Sequence, residues 1–318
     1  MSADADPDVA VLLLAQVLPH ERAWLLGRLV RGPRPLLAQE RGLRFARVLG
    51  CGHEGGFGLR PSFERGGLFA LFEGEADAEA FVADSALVQQ YRLRSRELLV
   101  AVLRASSVRG SWGGMSMRAT AAAVPGMPVA SLTRASIRPQ RALGFWRHAA
   151  PAQQALAHAP GCRLLAGLGE APLLRQATFS LWRDAHAMED WARHGPHAEA
   201  IRAAWQQGYF SESMFVRFVP LSLHGCWQGR EHDFDARAVA PASAGSLRFP
   251  PPSPLHAAPR SELREMGRLS EPSEPRETGQ MREVSGRGPL HEPSGIGRTG
   301  ETREMREKPQ PFEERRRA

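Results

Sequence analysis

The chain has 318 residues, a formal net charge of +7 and three cysteines. Cys51, Cys162 and Cys226 are sparse, odd in number and far apart, which argues against a disulfide-stapled secreted scaffold. No run reaches the ~18 apolar residues of a membrane-spanning helix, and the acidic N-terminus with its short apolar run does not resemble a signal peptide. We therefore expect a cytoplasmic protein that contacts a membrane at most peripherally.

The positive charge belongs to residues 1–230. Residues 231–318 hold 15 basic and 15 acidic side chains, which cancel, so the rest of the chain carries the whole +7. A basic body is typical of proteins that meet nucleic acid or an anionic membrane surface. Arginine-rich codon usage explains the charge equally well, since Lys308 is the only lysine. No known nucleic-acid-binding motif accompanies the charge, which disfavours nucleic acid.

Residues 1–125 alternate between strand and helix patterns. A short apolar run at Val9–Ala15 indicates a buried strand, and the apolar spacing of His20–Val30 suits a helix. A glycine-rich link follows the second strand. In chain order the predicted elements are strand Val9–Ala15, helix His20–Val30, strands Leu43–Leu49 and Leu68–Phe72, a helix from Asp77–Ala83, and strand Leu98–Arg104.

Residues 126–230 repeat this order. The predicted elements are strand Val129–Ile137, helix Ala142–His158, strands Arg163–Leu168 and Arg175–Trp182, helices Asp184–Arg193 and Pro196–Gln207, and strand Ser213–Val219. Each half is a ferredoxin-like βαββαβ unit whose bare sheet face must pack on something. The prediction is an α+β fold of two tandem ferredoxin-like repeats, packed sheet to sheet around an apolar interior.

Residues 231–318 form a separate segment in composition. They have few aliphatic residues and much Pro, Gly, Ser, Glu and Arg. Such a segment cannot bury enough apolar surface to offset the entropy lost on ordering. We predict a disordered low-complexity tail.

Short motifs in the second half share their order with a known family. They are Ser131-Leu132-Thr133-Arg134-Ala135, Gly167-Leu168-Gly169-Glu170, Gln176–Trp182, Gly195-Pro196-His197 and Phe215-Val216-Arg217-Phe218. Together they resemble the spheroidene monooxygenase family, acyclic carotenoid 2-ketolases of purple phototrophs. The resemblance covers about residues 9–220, and the first half matches more loosely, through Gly50-Cys51-Gly52 and Gly110–Gly114.

The resemblance implies a haem-dependent enzyme. It implies haem b, O2, electrons from reduced ferredoxin, and oxidation at the C2 end of an acyclic carotenoid such as spheroidene. It also implies the dimeric α+β barrel type of fold, in which a histidine on a helix of one repeat ligates the iron.

His197 is the predicted axial ligand of that iron. It follows Pro196, a residue suited to the first turn of a helix, and shares a helix face with Ile201 and Ala204. We expect its ring to point along this stripe into the interior, with the helix dipole favouring the neutral form that binds iron. A histidine that only caps or packs remains the alternative, and His194 remains the alternative ligand.

Further candidates lie on predicted strands. Arg134 is a candidate partner of the haem propionates because guanidinium pairs with carboxylate in two hydrogen bonds, whereas Arg217 is expected to face solvent. Trp182 is a candidate for the cofactor-binding wall. Gln176 and Thr178 are candidate polar groups near bound O2, and ordinary core positions remain the alternative for all three.

Two functions follow from these patterns. The first is a haem-dependent carotenoid monooxygenase that takes its apolar substrate from a membrane. The second is a ferredoxin-like module that holds haem or lipid without turnover. The sequence does not separate them.

Overall fold

Strands and helices alternate along the chain in this computed structural model, which describes residues 6–32, 40–56, 60–119, 126–171 and 173–238. The first half contains β1 (Val9–Val17), α1 (Arg22–Arg31), β2 (Leu43–Gly52), β3 (Pro61–Phe72), α2 (Glu75–Asp84), α3 (Ala86–Arg94) and β4 (Ser95–Gly110). The second half contains β5 (Val129–Ile137), α4 (Ala142–Ala157), β6 (Cys162–Ala171), β7 (Arg175–Trp182), α5 (Ala185–Arg193), α6 (Gly195–Gln206) and β8 (Phe210–Trp227). The same order of elements thus occurs in both halves, and a last strand, β9 (Arg230–Asp235), follows β8.

The strands close into an eight-stranded antiparallel barrel. Their order is β4-β1-β3-β2-β6-β7-β5-β8, and β4 also pairs with β8 to complete the circle. The β4–β8 junction is long, running from Leu99 opposite Gly225 to Gly110 opposite Met214. The β2–β6 junction consists of only two pairs, Gly50 with Gly169 and Cys51 with Leu168. The predicted combination of an antiparallel barrel with helices is confirmed.

The alternation of side chains along each strand separates two apolar layers. On β1, Ala10, Leu12 and Leu14 face the barrel interior, where they join buried side chains from all eight strands. Val11 and Leu13 face the other way, onto α1, α2 and α3. Because both faces are covered, every residue of β1 is buried. The helices of the second half cover the outside of the barrel in the same manner.

Strand β3 begins seven residues earlier than predicted, at Pro61. Gly66 and Gly67 lie inside the strand, although the sequence suggested a link there. A Cβ on Gly67 would come within 2.6 Å of the Leu13 carbonyl oxygen, and one on Gly66 within 2.9 Å of the Leu49 carbonyl oxygen. The glycines therefore mark close backbone packing within the sheet.

The predicted start of the disordered tail at residue 231 is wrong for residues 231–238. Strand β9 pairs with the end of β8, from Ser222 opposite Asp235 to Trp227 opposite Arg230. His232 and Phe234 alternate inward on β9 and are 7% and 8% exposed. Phe234 is the one large apolar residue among the six residues of β9. The sequence therefore showed no alternating apolar pattern that would indicate a strand. The remainder of the predicted tail, residues 239–318, lies outside the described residues.

Candidate functional site

His197 lies in the helical layer on the outside of the barrel. Its ring stacks on the indole of Trp191, with 4.0 Å between ring centroids and 30° between planes. Trp191 in turn stacks on Trp182 at 5.5 Å. These rings form a continuous aromatic stack from α6 through α5 to β7.

The inner end of this stack is anchored by hydrogen bonds. Trp182 is 1% exposed, and its Nε1 donates to Ser180 Oγ at 2.9 Å. Ser180 Oγ also shares a hydrogen bond with Ser131 Oγ at 3.0 Å, which connects β7 to β5. The buried side chains packed around Trp182 and Trp191 include Met188. The position of Trp191 is therefore fixed by the sheet.

The His197 imidazole is neutral at physiological pH. Burial lowers its pKa from 6.5 to about 4, because the charged form loses hydration. Among the residues that the structure describes, no side chain or backbone group forms a hydrogen bond with its ring nitrogens. Stacking on Trp191 occupies only the face of the ring, so that the in-plane nitrogen lone pair stays available to a metal. The donor chemistry fits an axial ligand.

The predicted direction of His197 is wrong. The ring was expected to point into the space between the sheets, but it packs on the helix-covered face of the barrel wall. The reason is that α6 buries Ala203 and Ala204 against Tyr209 and Phe145, outside the barrel. The barrel interior belongs to a separate set of apolar side chains.

His194, the alternative ligand, is placed differently. Its side chain is exposed, and its Nδ1 lies 2.7 Å from the Asp190 carbonyl oxygen one turn earlier. Of the two histidines, His197 is the one that is shielded from water.

Strand β7 carries three of the predicted site residues on one face. Gln176, Thr178 and Trp182 alternate toward the helical layer, whereas Phe179 points into the barrel interior. At about 3.3 Å per residue, Thr178 lies roughly 13 Å from Trp182 along the strand, and Gln176 lies farther still. Gln176 donates to the Ala171 carbonyl oxygen. The structure brings Trp182 close to His197 and leaves Gln176 and Thr178 farther along the same face.

Arg134 lies on the opposite face of the barrel wall. It is 4% exposed, and its Nη2 donates to Glu170 Oε2 at 2.9 Å, while its Nη1 donates to Glu212 Oε2 at 2.5 Å. The guanidinium also lies over the ring of Trp112, 5.7 Å from its centroid. Arg134 is thus already paired with two carboxylates inside the barrel, and the structure does not bring it together with His197.

The Arg134 pairs belong to a larger interior ion network. Glu170 Oε1 also accepts hydrogen bonds from Arg47 Nε at 2.8 Å and from Trp112 Nε1 at 3.1 Å. The network therefore bridges β2 and β6 beside their short junction and holds Trp112, which is fully buried, in the interior.

Glu212 secures the segment that follows β4. Its Oε1 accepts hydrogen bonds from Ser111 Oγ and from the Gly114 backbone N–H, both at 3.0 Å. Burial by itself would raise the pKa of Glu212. The Gly114 and Gly113 backbone N–H groups, the Ser111 hydroxyl and the Arg134 guanidinium outweigh that effect and lower the pKa from 4.5 to about 2.

Arg217 faces solvent, as predicted, and pairs with Glu189 at 2.9 Å. The sequence reasoning missed Trp191 and Glu212, and it quoted Glu170 in a motif without giving it a role. Glu170 lies two residues after Leu168, which faces the barrel interior on β6. The alternation along the strand could therefore have placed Glu170 in the interior as well. Trp191 carried no local signal, because its partner His197 belongs to the next helix.

Two pockets stand out in the described part of the chain, and neither is lined by His197. One, of about 470 Å³, lies between the turn before α4 and the end of α6. The other, of about 350 Å³, lies beside the start of β1 and of α2. The described residues contain no group of three metal-ligating side chains, and none of their helices has the length and apolar character needed to span a bilayer.

The fold and site define a closed α+β barrel with a half-buried, neutral histidine in its outer helical layer. The chain is 55% identical over 237 residues to the spheroidene monooxygenase of Rubrivivax gelatinosus. This match covers 73% of this chain and 91% of that protein. It is 34% identical over 212 residues to the spheroidene monooxygenase of Rhodobacter capsulatus, spanning 65% and 88% of the two chains. The chain belongs to the spheroidene monooxygenase family.

Two solved structures show a more distant likeness. A crystal structure of aldoxime dehydratase matches 69% of this chain and 83% of its own, with a TM-score of 0.46 and 11% identity. A putative monooxygenase from Lactobacillus acidophilus NCFM matches 72% of this chain and 100% of its own, with a TM-score of 0.30 and 13% identity. None of the known protein-family models matches the chain.

Proposed function

We propose that this protein is a haem-dependent monooxygenase that oxidises an acyclic carotenoid such as spheroidene. The observation that carries the proposal is the 55% identity to a spheroidene monooxygenase across 91% of that relative's length. The match of 237 residues is longer than either half of the barrel and therefore extends into both halves.

The proposed reaction inserts one oxygen atom into a C–H bond at the C2 end of the carotenoid. Each round consumes one O2, two electrons and two protons, and yields a hydroxylated carotenoid and one water. Two reduced ferredoxins supply the electrons, since each carries one. A second round at the same carbon gives a geminal diol, which loses water to form the ketone.

His197 is the residue proposed to hold haem b. Its half-buried, neutral imidazole with no hydrogen bond to either ring nitrogen among the described residues supports this role. The haem, when bound, supplies the oxidising power for O2 chemistry, and the protein supplies ligation and a dry setting. Trp182 supports the site through Trp191, and Gln176 and Thr178 are proposed polar groups on the same sheet face. Arg134 would reach a propionate only by giving up its carboxylate partners.

The two halves of the barrel are proposed to be tandem ferredoxin-like repeats. Their shared order of strands and helices supports this proposal. The protein is further proposed to work in the cytoplasm and to collect its apolar substrate at a membrane surface, since a carotenoid has negligible solubility in water.

The test is turnover with labelled oxygen. Purified protein loaded with haem is given spheroidene, reduced ferredoxin and oxygen-18 gas, and the hydroxylated product is analysed by mass spectrometry. The hydroxyl is chosen because a ketone oxygen exchanges with water. We expect one label for each hydroxyl formed and no product without the electron donor. Haem or carotenoid binding without any consumption of the carotenoid would instead favour a non-catalytic binding module.

A further inference from the structure

One surface of the barrel carries basic and apolar side chains, most of them from a long stretch of sequence without acidic residues. No Asp or Glu occurs between Glu97 and Glu170. The surface is formed by the turn before α4, the start of α4, and the turn between β6 and β7. We call it the α4 surface, and its exposed members are Arg138, Arg141, Leu143, Arg147, Leu173 and Arg175.

Hydrogen bonds hold the two parts of the α4 surface together. Trp146 Nε1 donates to the Leu173 carbonyl oxygen at 3.1 Å, and the Ile137 backbone N–H donates to the Leu174 carbonyl oxygen at 2.7 Å. Leu143 and Leu173 are 70% and 44% exposed. Two large apolar side chains thus project from neighbouring positions of one surface.

The arginines of this surface are unpaired. Among the described residues, Arg138, Arg141, Arg147 and Arg175 form no ion pair. Some exposed arginines elsewhere pair with a carboxylate, as Arg22 does with Glu64, whereas others, such as Arg31 and Arg96, also form no ion pair within the described residues. The α4 surface differs from the rest in grouping four such arginines with two exposed leucines. The positive charge of the α4 surface is therefore left for an external partner.

A pocket in the same surface offers hydrogen-bond donors. It has a volume of about 470 Å³ and is lined by Arg138, Gln140, Arg141, Gln207 and Gly208. Guanidinium and amide N–H groups suit the oxygens of a phosphate. Exposed leucines beside a pocket lined by such donors match the depth profile of a bilayer, in which acyl chains lie beneath anionic headgroups.

We propose that the α4 surface docks the protein on an anionic phospholipid bilayer, with Leu143 and Leu173 inserted and the arginines on the headgroups. This inference rests on the proposed function, because it supplies the route by which an apolar substrate leaves the membrane. The pocket lies at the end of α6, and His197 lies at its start. At 1.5 Å per residue these points are about 15 Å apart.

The test is sedimentation of the full-length protein with vesicles. Vesicles of phosphatidylcholine alone are compared with vesicles that also contain phosphatidylglycerol, without carotenoid or electron donor. We expect binding only to the anionic vesicles, weakening as salt is added. We expect two variants to bind the anionic vesicles about tenfold more weakly, or weaker still. One is the double variant Arg141→Glu with Arg147→Glu, and the other is the single variant Leu143→Ser. The matched control is Arg31→Glu with Val30→Ser on α1, which removes an exposed arginine and an apolar residue elsewhere and leaves binding within about twofold.

Three outcomes would overturn the proposal. The first is that the wild-type protein does not bind anionic vesicles, and the second is that the α1 control loses as much vesicle binding as the α4-surface variants. The third is that the α4-surface variants bind vesicles normally and lose affinity for reduced ferredoxin instead. The last outcome would assign the surface to the electron donor. Vesicle binding requires no turnover, so a protein that docks through this surface and leaves carotenoid unchanged would contradict the proposed function alone.

Discussion

At the scale of single residues, the surroundings of His197 differ from those of most metal-binding histidines. A ligating imidazole usually donates its second N–H to a carboxylate or carbonyl oxygen, which fixes the ring. Among the described residues His197 has no such partner, and the Trp191 stack holds the ring by its face instead. We therefore propose that Trp191 is a positioning residue for the imidazole.

Loss of Trp191 is expected to weaken haem binding. In Trp191→Leu the imidazole can rotate, and we expect the dissociation constant for haem to rise about tenfold or more. Trp191→Phe, which keeps an aromatic face, should recover most of the affinity. Titration of the haem-free protein with haem measures both constants. Trp24→Phe, at the distant edge-to-face contact with Tyr91, is the control, and unaltered haem affinity in Trp191→Leu would refute the positioning role.

Two arginines on neighbouring strands allow a matched test of burial. Arg134→Met leaves Glu170 and Glu212 without their shared cation inside the barrel, and should lower the free energy of unfolding by about 3–5 kcal/mol. Arg217→Met removes the exposed pair with Glu189 and should cost at most about 1 kcal/mol. Urea unfolding curves measure both values. Equal losses in the two variants would contradict a structural role for the interior network.

At the scale of elements, Glu212 links β8 to the segment after β4 and makes this junction sensitive to acid. Its pKa is about 2 in the folded protein and 4.5 in the reference state. Its contribution is therefore complete above about pH 5 and is lost as the pH falls toward 2. The difference between the two pKa values corresponds to roughly 3 kcal/mol, which the partial exposure of the carboxyl group to water reduces to roughly 2 kcal/mol.

The acid sensitivity is measured as a difference between two proteins. The unfolding free energy of the wild-type protein minus that of Glu212→Gln should be constant above pH 5 and shrink steadily below about pH 4.5. Urea unfolding at a series of pH values gives this difference, in which the other carboxyl groups cancel. A difference that does not change across this range would show that Glu212 titrates normally.

The sequence allowed the strands and helices to be predicted where a periodic apolar pattern was long. The largely apolar β1 and the alternating β7 are examples, since their burial is set by local pattern. The face that a side chain occupies was harder to predict. Arg134 and Trp182 lie on opposite faces of the barrel wall, which depends on strand register and on how the barrel closes. Trp191 and β9 were missed because their partners lie in other elements.

At the scale of the whole molecule, β9 extends the sheet by one strand beside β8, outside the closed circle of eight strands. Truncation after Ala238 keeps β9, and we predict a melting temperature close to that of the full chain. Truncation after Gly229 removes the buried Phe234 and His232 and the pair between Arg237 and Glu75. This shorter protein should unfold several degrees lower. Thermal denaturation followed by circular dichroism compares them, and equal melting temperatures would mean that β9 adds no stability.

The proposed role of His197 is to hold a haem in a carotenoid monooxygenase. The decisive measurement is the visible spectrum of protein produced with a haem precursor, for the wild-type chain, His197→Ala and His194→Ala. We predict a Soret band in the wild-type protein and in His194→Ala, and its loss or marked shift in His197→Ala with the fold intact by circular dichroism. A wild-type protein without a Soret band, or an unchanged band in His197→Ala, would contradict the claim.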